Sequence, residues 1–221
     1  IDEQIKLLYP AAKVNCMRVK LQGQESSSYI TRAINSLTEC DLIIDATADP
    51  KTLNQLSMIA IQSKKTLVWL EVYGGGIGGL IARYKPNEGS DPHRIRDCYN
   101  AYTASQNKPL DEEVGRYAIN GDQGVQIAFD ADVSVISLHA ARFALDSLLE
   151  RTPSIFPHPA YFIGLSRGWI FDQPFHVIPI NVDAVEVKEF TAASPQVVAE
   201  SMEFIGKLLD KAQNADNTPP Q

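Results

Sequence analysis

Two carboxylates and a hydroxyl stand close together in Asp45-Ala46-Thr47-Ala48-Asp49-Pro50, directly after the apolar run Leu42-Ile43-Ile44. Leu42 to Asp45 reads as a short buried strand of the kind a parallel sheet uses, covered on both faces. Thr47 and Asp49 are helix-capping residue types, and Pro50 suits a first helical position, where no amide hydrogen is needed. Open α/β sheets bind ligands outside the carboxyl ends of their strands, where a strand runs into a helix N-terminus. Asp45 sits at such an end and is the first candidate for chemistry. The bland alternative is a solvated carboxylate or an acceptor that orders the turn. For Thr47 and Asp49 the alternative to ligand binding is simple capping.

Cys98 is the second candidate. It follows Arg94, Arg96 and Asp97 in sequence, and nearby cations favour a nucleophilic thiolate. It also falls three residues after Ile95 and next to Tyr99, a spacing that suits packing equally well. Cys16 and Cys40 read as structural. His139 lies in an apolar helix and reads as a core residue, while His93, His158 and His176 are too dispersed to suggest a metal site. Trp69 and Trp169 read as packing residues. No nucleophile elbow supports hydrolase chemistry.

The elements that must position these groups alternate. Ile1 to Tyr9 reads as the end of a helix, Val14 to Leu21 as an alternating strand, and Tyr29 to Leu37 as a helix. Pro50 to about Ser63 is the next helix and Thr66 to Tyr73 another buried strand. Strands alternating with helices of this length predict a parallel sheet with right-handed crossovers. The run Gly74-Gly75-Gly76-Ile77-Gly78-Gly79 could be taken for a phosphate loop, but the strand-like Leu80 to Tyr84 follows it. A phosphate cradle needs a helix N-terminus there, so a tight hairpin or bulge is expected. His93 to about Gln106 reads as a helix with Ile95, Tyr99 and Tyr102 as its stripe. Asn107 to Gly124 reads as an irregular charged segment. Asp132 to Leu149 reads as a helix apolar nearly all round, hence buried. Tyr161 to Leu165 and Phe175 to Val182 read as strands, and Ser194 opens a last helix.

Apolar content of 44% and charge of 21% are ordinary for a globular protein. The net charge of −7 disfavours a nucleic-acid surface, and no run approaches the roughly 18 apolar residues of a membrane span. Three scattered cysteines without a C-x-x-C pair suit a reducing cytoplasm. The start lacks an apolar leader, and a chain opening on Ile rather than Met reads as a fragment or processed product.

The run Asp41-Leu42-Ile43-Ile44-Asp45-Ala46-Thr47-Ala48-Asp49, followed by Asn54-Gln55-Leu56, resembles the ThiF/MoeB family, the adenylating domain of ubiquitin-activating-type enzymes. Trp69 to Tyr84, the crossover of about 85–123, and Gly124-Val125 onward into Val133-Ser134-Val135-Ile136 and Ala140-Ala141 resemble the parts that follow in that family. Tyr161 to Phe171 is similar to the bacterial branch found with ubiquitin-conjugating-like and JAB-like domains. The resemblance implies an α/β fold, a partial doubly wound, Rossmann-like, mostly parallel sheet with helices on both faces and an antiparallel C-terminal extension. It implies residues 1–150 as the C-terminal part of an adenylating domain and 151–213 as its strand–strand–helix extension, while the polar, proline-containing 214–221 reads by composition as a disordered tail.

The same resemblance implies ATP and Mg2+ as cofactors, a ubiquitin-like or sulfur-carrier protein as partner, and a homodimer. It makes Asp45 the catalytic, metal- and ATP-contacting carboxylate, with Thr47 and Asp49 beside the cofactor. Cys98 would be the acceptor thiol in the crossover region. Magnesium prefers hard oxygen ligands of this kind. The departures are that the family's Asp-Asn pair is Ala48-Asp49 here, and an arginine often found four residues on is Leu53. The family's ATP loop, ribose-binding aspartate and catalytic basic pair would precede Ile1, so the chain alone is not expected to hold ATP tightly. The alternatives are a non-catalytic ThiF-like scaffold that binds a protein or dimerises, and, more weakly, half of a nicotinamide-binding fold.

Overall fold

A computed structural model of the chain describes residues 2–19, 21, 27–108, 118–121 and 124–183. In order, the elements are α1 (Asp2–Leu8), α2 (Ser27–Glu39), β1 (Leu42–Asp45), α3 (Pro50–Ser63), β2 (Thr66–Tyr73), β3 (Gly78–Tyr84), α4 (Pro92–Ser105), β4 (Ala118–Gly121), β5 (Gly124–Ile127), α5 (Asp130–Leu148), β6 (Ala160–Gly164) and β7 (Val177–Ile180). The expected last helix and the tail lie outside the described residues.

Five strands make one mixed sheet in the order β1-β2-β3-β6-β7. Among the described residues only β1 and β2 of this sheet run parallel, and its other three pairings are antiparallel. The fold is α/β as expected, but the mostly parallel sheet is corrected. The cause is local. The Gly74–Gly76 turn, with all three glycines at positive φ, folds β3 straight back on β2 where a parallel neighbour would need a crossover helix. The hairpin expected from these glycines is therefore present.

Alternation along β2 sorts the core into two layers. Leu67, Trp69 and Tyr73 face one way and pack with residues of α2, α3 and α4. Val68 and Leu70 face the other way and pack with Ile136, Ala140, Phe143 and Ala144 of α5. The sheet is thus covered on both faces, and the polar Glu71 of β2 lies on the α3–α4 side by the same alternation.

Three further expectations change. Residues 14–19 form no strand, because no ladder bonds them to β1; a groove separates the two. The supposedly irregular region contains the hairpin β4–β5, closed by the Gly121–Gly124 pair; residues 109–117 and 122–123 lie outside the described ones. Helix α5 is buried along one face only. Leu138, Leu145 and Leu148 are exposed, because the sheet covers one side of a helix whose apolar residues run nearly all round.

Candidate functional site

The carboxyl ends of β1 and β2 hold the candidate site. In the parallel register Asp45 lies opposite Trp69, so Glu71 occupies the diagonal position two residues on and on the same face. Asp45 is 3% exposed. Its Oδ1 accepts hydrogen bonds from the Thr47 amide at 2.9 Å and the Thr47 hydroxyl at 2.7 Å. Thr47 in turn accepts from the Asp49 amide through Oγ1 at 3.3 Å.

Asp49 caps α3. Its carboxylate accepts from the Lys51 and Thr52 amides at 3.4 and 3.0 Å and from the Thr52 hydroxyl at 2.7 Å. The Thr52 hydroxyl bond is the main force holding the Asp49 carboxyl below its usual range. The capping role expected for Asp49 is realised, and Thr47 ties the turn to Asp45. Between them Ala48 takes a left-handed conformation, φ 52°, which costs a non-glycine residue about 1 kcal/mol. Backbone strain of this kind gathers at functional turns.

Glu71 is the residue that sequence reasoning missed. Its signal was a lone charge inside the apolar run Leu67-Val68-Trp69-Leu70-Glu71-Val72. Burial pushes the Glu71 carboxyl up from its ordinary pKa; the Tyr73 hydroxyl pulls it down, Asp45 adds a smaller upward push, and Arg96 a downward one. Burial, with the Glu71 charge second, pushes the Tyr73 and Tyr99 phenols well above their usual range. The Tyr73 hydroxyl and the Trp69 indole nitrogen are buried, the first within reach of the Glu71 carboxyl and the second within reach of the Tyr99 hydroxyl. Arg96 of α4 donates to Asn54 Oδ1 of α3 at 2.7 Å and so fastens the two helices above this patch. Trp69 is 1% exposed, and Trp169 packs edge-on against Tyr73 at 5.1 Å, in keeping with packing roles for both.

Cys98 is not brought to this patch. It is fully buried, its thiol lies 3.7 Å from the carbonyl of Val182, just past β7, and burial pushes its pKa up. β7 is the edge opposite β1. Arg94 pulls the pKa down but burial outweighs it, so in this structure the thiol is buried and its thiolate disfavoured. Cys16 and Cys40 are exposed, and all three cysteines are free. His139 is half-buried, with burial first and Arg142 second lowering its pKa, so it stands at the edge of the core and not inside it.

Beside β1 runs a groove of about 750 Å3, lined among others by Met17, Val19, Leu37, Ile43, Ile44 and Leu56. β1 pairs on one side only among the described residues, and Ile44 is 53% exposed.

No protein-family model and no curated protein matches this chain. What the site could do therefore rests on its own donor set. A hard divalent cation fits it. Asp45 spends Oδ1 on Thr47 while Oδ2 takes part in no described hydrogen bond, and Glu71 is a second carboxyl oxygen source. Among the described residues no group of three or more His, Cys, Asp or Glu side chains converges. Magnesium is nonetheless commonly held by one or two carboxylates, with water or phosphate completing its shell. A nucleotide fits less well. The first free amides of α3 are already taken by Asp49, so that helix terminus offers no open phosphate cradle. No described helix is long and apolar enough to cross a membrane.

Proposed function

We propose that this chain is part of an ATP-dependent enzyme that adenylates the C-terminus of a ubiquitin-like protein or sulfur carrier, built on a partial doubly wound, Rossmann-like domain. The observation that carries the reading is Asp45: a buried carboxylate at the end of β1, one oxygen fixed by Thr47, leading into the N-terminus of α3. In this reading Asp45 holds Mg2+, whose charge offsets that of the triphosphate. Thr47 fixes the carboxylate, and Asp49 orders the turn beneath the cofactor. In this reading the residues that grip ATP are other than the α3 N-terminus, whose first amides Asp49 occupies. The three free cysteines suit a cytoplasmic setting.

Two assays test it. ATP–pyrophosphate exchange by the 221-residue chain alone shows no turnover, and Asp45→Asn in the intact gene product abolishes activation of the modifier. Undiminished activation by the Asn variant overturns the reading.

A second reading has its own support. A non-catalytic ThiF-like scaffold would need a surface for a partner or a second copy, and the outer face of α5 exposes Leu138, Leu145 and Leu148. Undiminished partner binding by a protein that lacks exchange activity in its intact form favours the scaffold.

A further inference from the structure

We draw no further inference here: the strongest candidate, the groove between residues 14–19 and the edge of β1, carries nothing because nothing in the structure shows what covers it.

Discussion

The guanidinium of Arg83 on β3 and the carboxylate of Asp146 on α5 meet at 2.6 Å, with 3% and 0% of their side chains exposed. Arg83 also donates to Ser147 Oγ, Ser154 Oγ and the Phe156 carbonyl, and its plane covers Phe143 at 4.6 Å. Ser154 Oγ and the Ile155 amide donate to Asp146. One ion pair thus joins the sheet, the long helix and the segment that leads to β6. Leaving Arg83 without its partner strands a buried charge, so Asp146→Ala should cost about 3–5 kcal/mol. The measurement is urea unfolding at neutral pH, and a loss under about 1 kcal/mol would assign the pair a minor role.

The same pair sets an acid dependence. Burial alone would raise the Asp146 pKa, but hydrogen bonds from Arg83, Ser154 and Ile155 outweigh it and hold the group at about 2, below the ordinary carboxylate range. A depressed folded-state pKa gives stability that is present above the unfolded value and lost as pH falls through the folded one. The contribution is complete above about pH 4 to 5 and is lost progressively toward pH 2. Comparing wild type with Asp146→Asn across that range checks the sign, since the gap between them should narrow as pH falls.

Gly79 tests how closely α5 lies on the sheet. A β-carbon there would sit 2.5 Å from the Glu71 carbonyl oxygen and 2.8 Å from Ile136. The backbone cannot yield cheaply, so Gly79→Ala should lower stability by about 1–3 kcal/mol through overpacking. Thermal unfolding reads it directly, and an unchanged midpoint would mean that α5 can lift off β3.

Much of this was legible beforehand where local rules act alone. The Leu42–Asp45 strand, the Asp49-Pro50 helix start and the glycine hairpin follow from burial, capping and backbone freedom, which a short window contains. Strand direction does not. The antiparallel β3 follows from the tightness of the Gly74–Gly76 turn, and the partner of residues 14–19 depends on what lies beside β1. Glu71 escaped notice because a charge in an apolar run looks like noise until the register with Asp45 is known. Cys98 is hard to place from sequence for the opposite reason: its charged neighbours in sequence are real, but the thiol turns inward toward the Val182 carbonyl.

That inward turn is open to direct test. Cys16 and Cys40 are exposed and Cys98 is buried with its pKa pushed up by burial. Under native conditions a thiol reagent should modify Cys16 and Cys40 rapidly. Cys98 should react only as fast as the protein opens, then at once in denaturant. Rapid native modification of Cys98 would restore it as a candidate nucleophile.

Ala48 links the candidate site to stability. Its φ of 52° is comfortable for glycine and strained for alanine, so Ala48→Gly should be neutral to stabilising by about 1 kcal/mol despite the added unfolded-state entropy. Helical and strand alanines elsewhere should lose stability on the same change. A loss of more than about 1 kcal/mol in Ala48→Gly would show that the turn is held by the alanine side chain and not by the Asp45–Thr47–Asp49 hydrogen bonds.

The outer face of α5 carries the remaining question, whether two copies associate. Leu138, Leu145, Leu148 and Leu149 are 50% or more exposed, and they recur at helical spacing, so they form one stripe and not scattered points. Apolar side chains left in water along one helix face favour self-association, since burying each against a partner is worth about 1.5–3 kcal/mol before the entropy of association is subtracted. A twofold pairing would bring each stripe against its own copy. Sedimentation of the full chain should then show a dimer. Leu138→Glu with Leu145→Glu should weaken it by at least about tenfold, because like charges would face each other across the axis. A monodisperse monomer at high concentration would leave the stripe to a different partner.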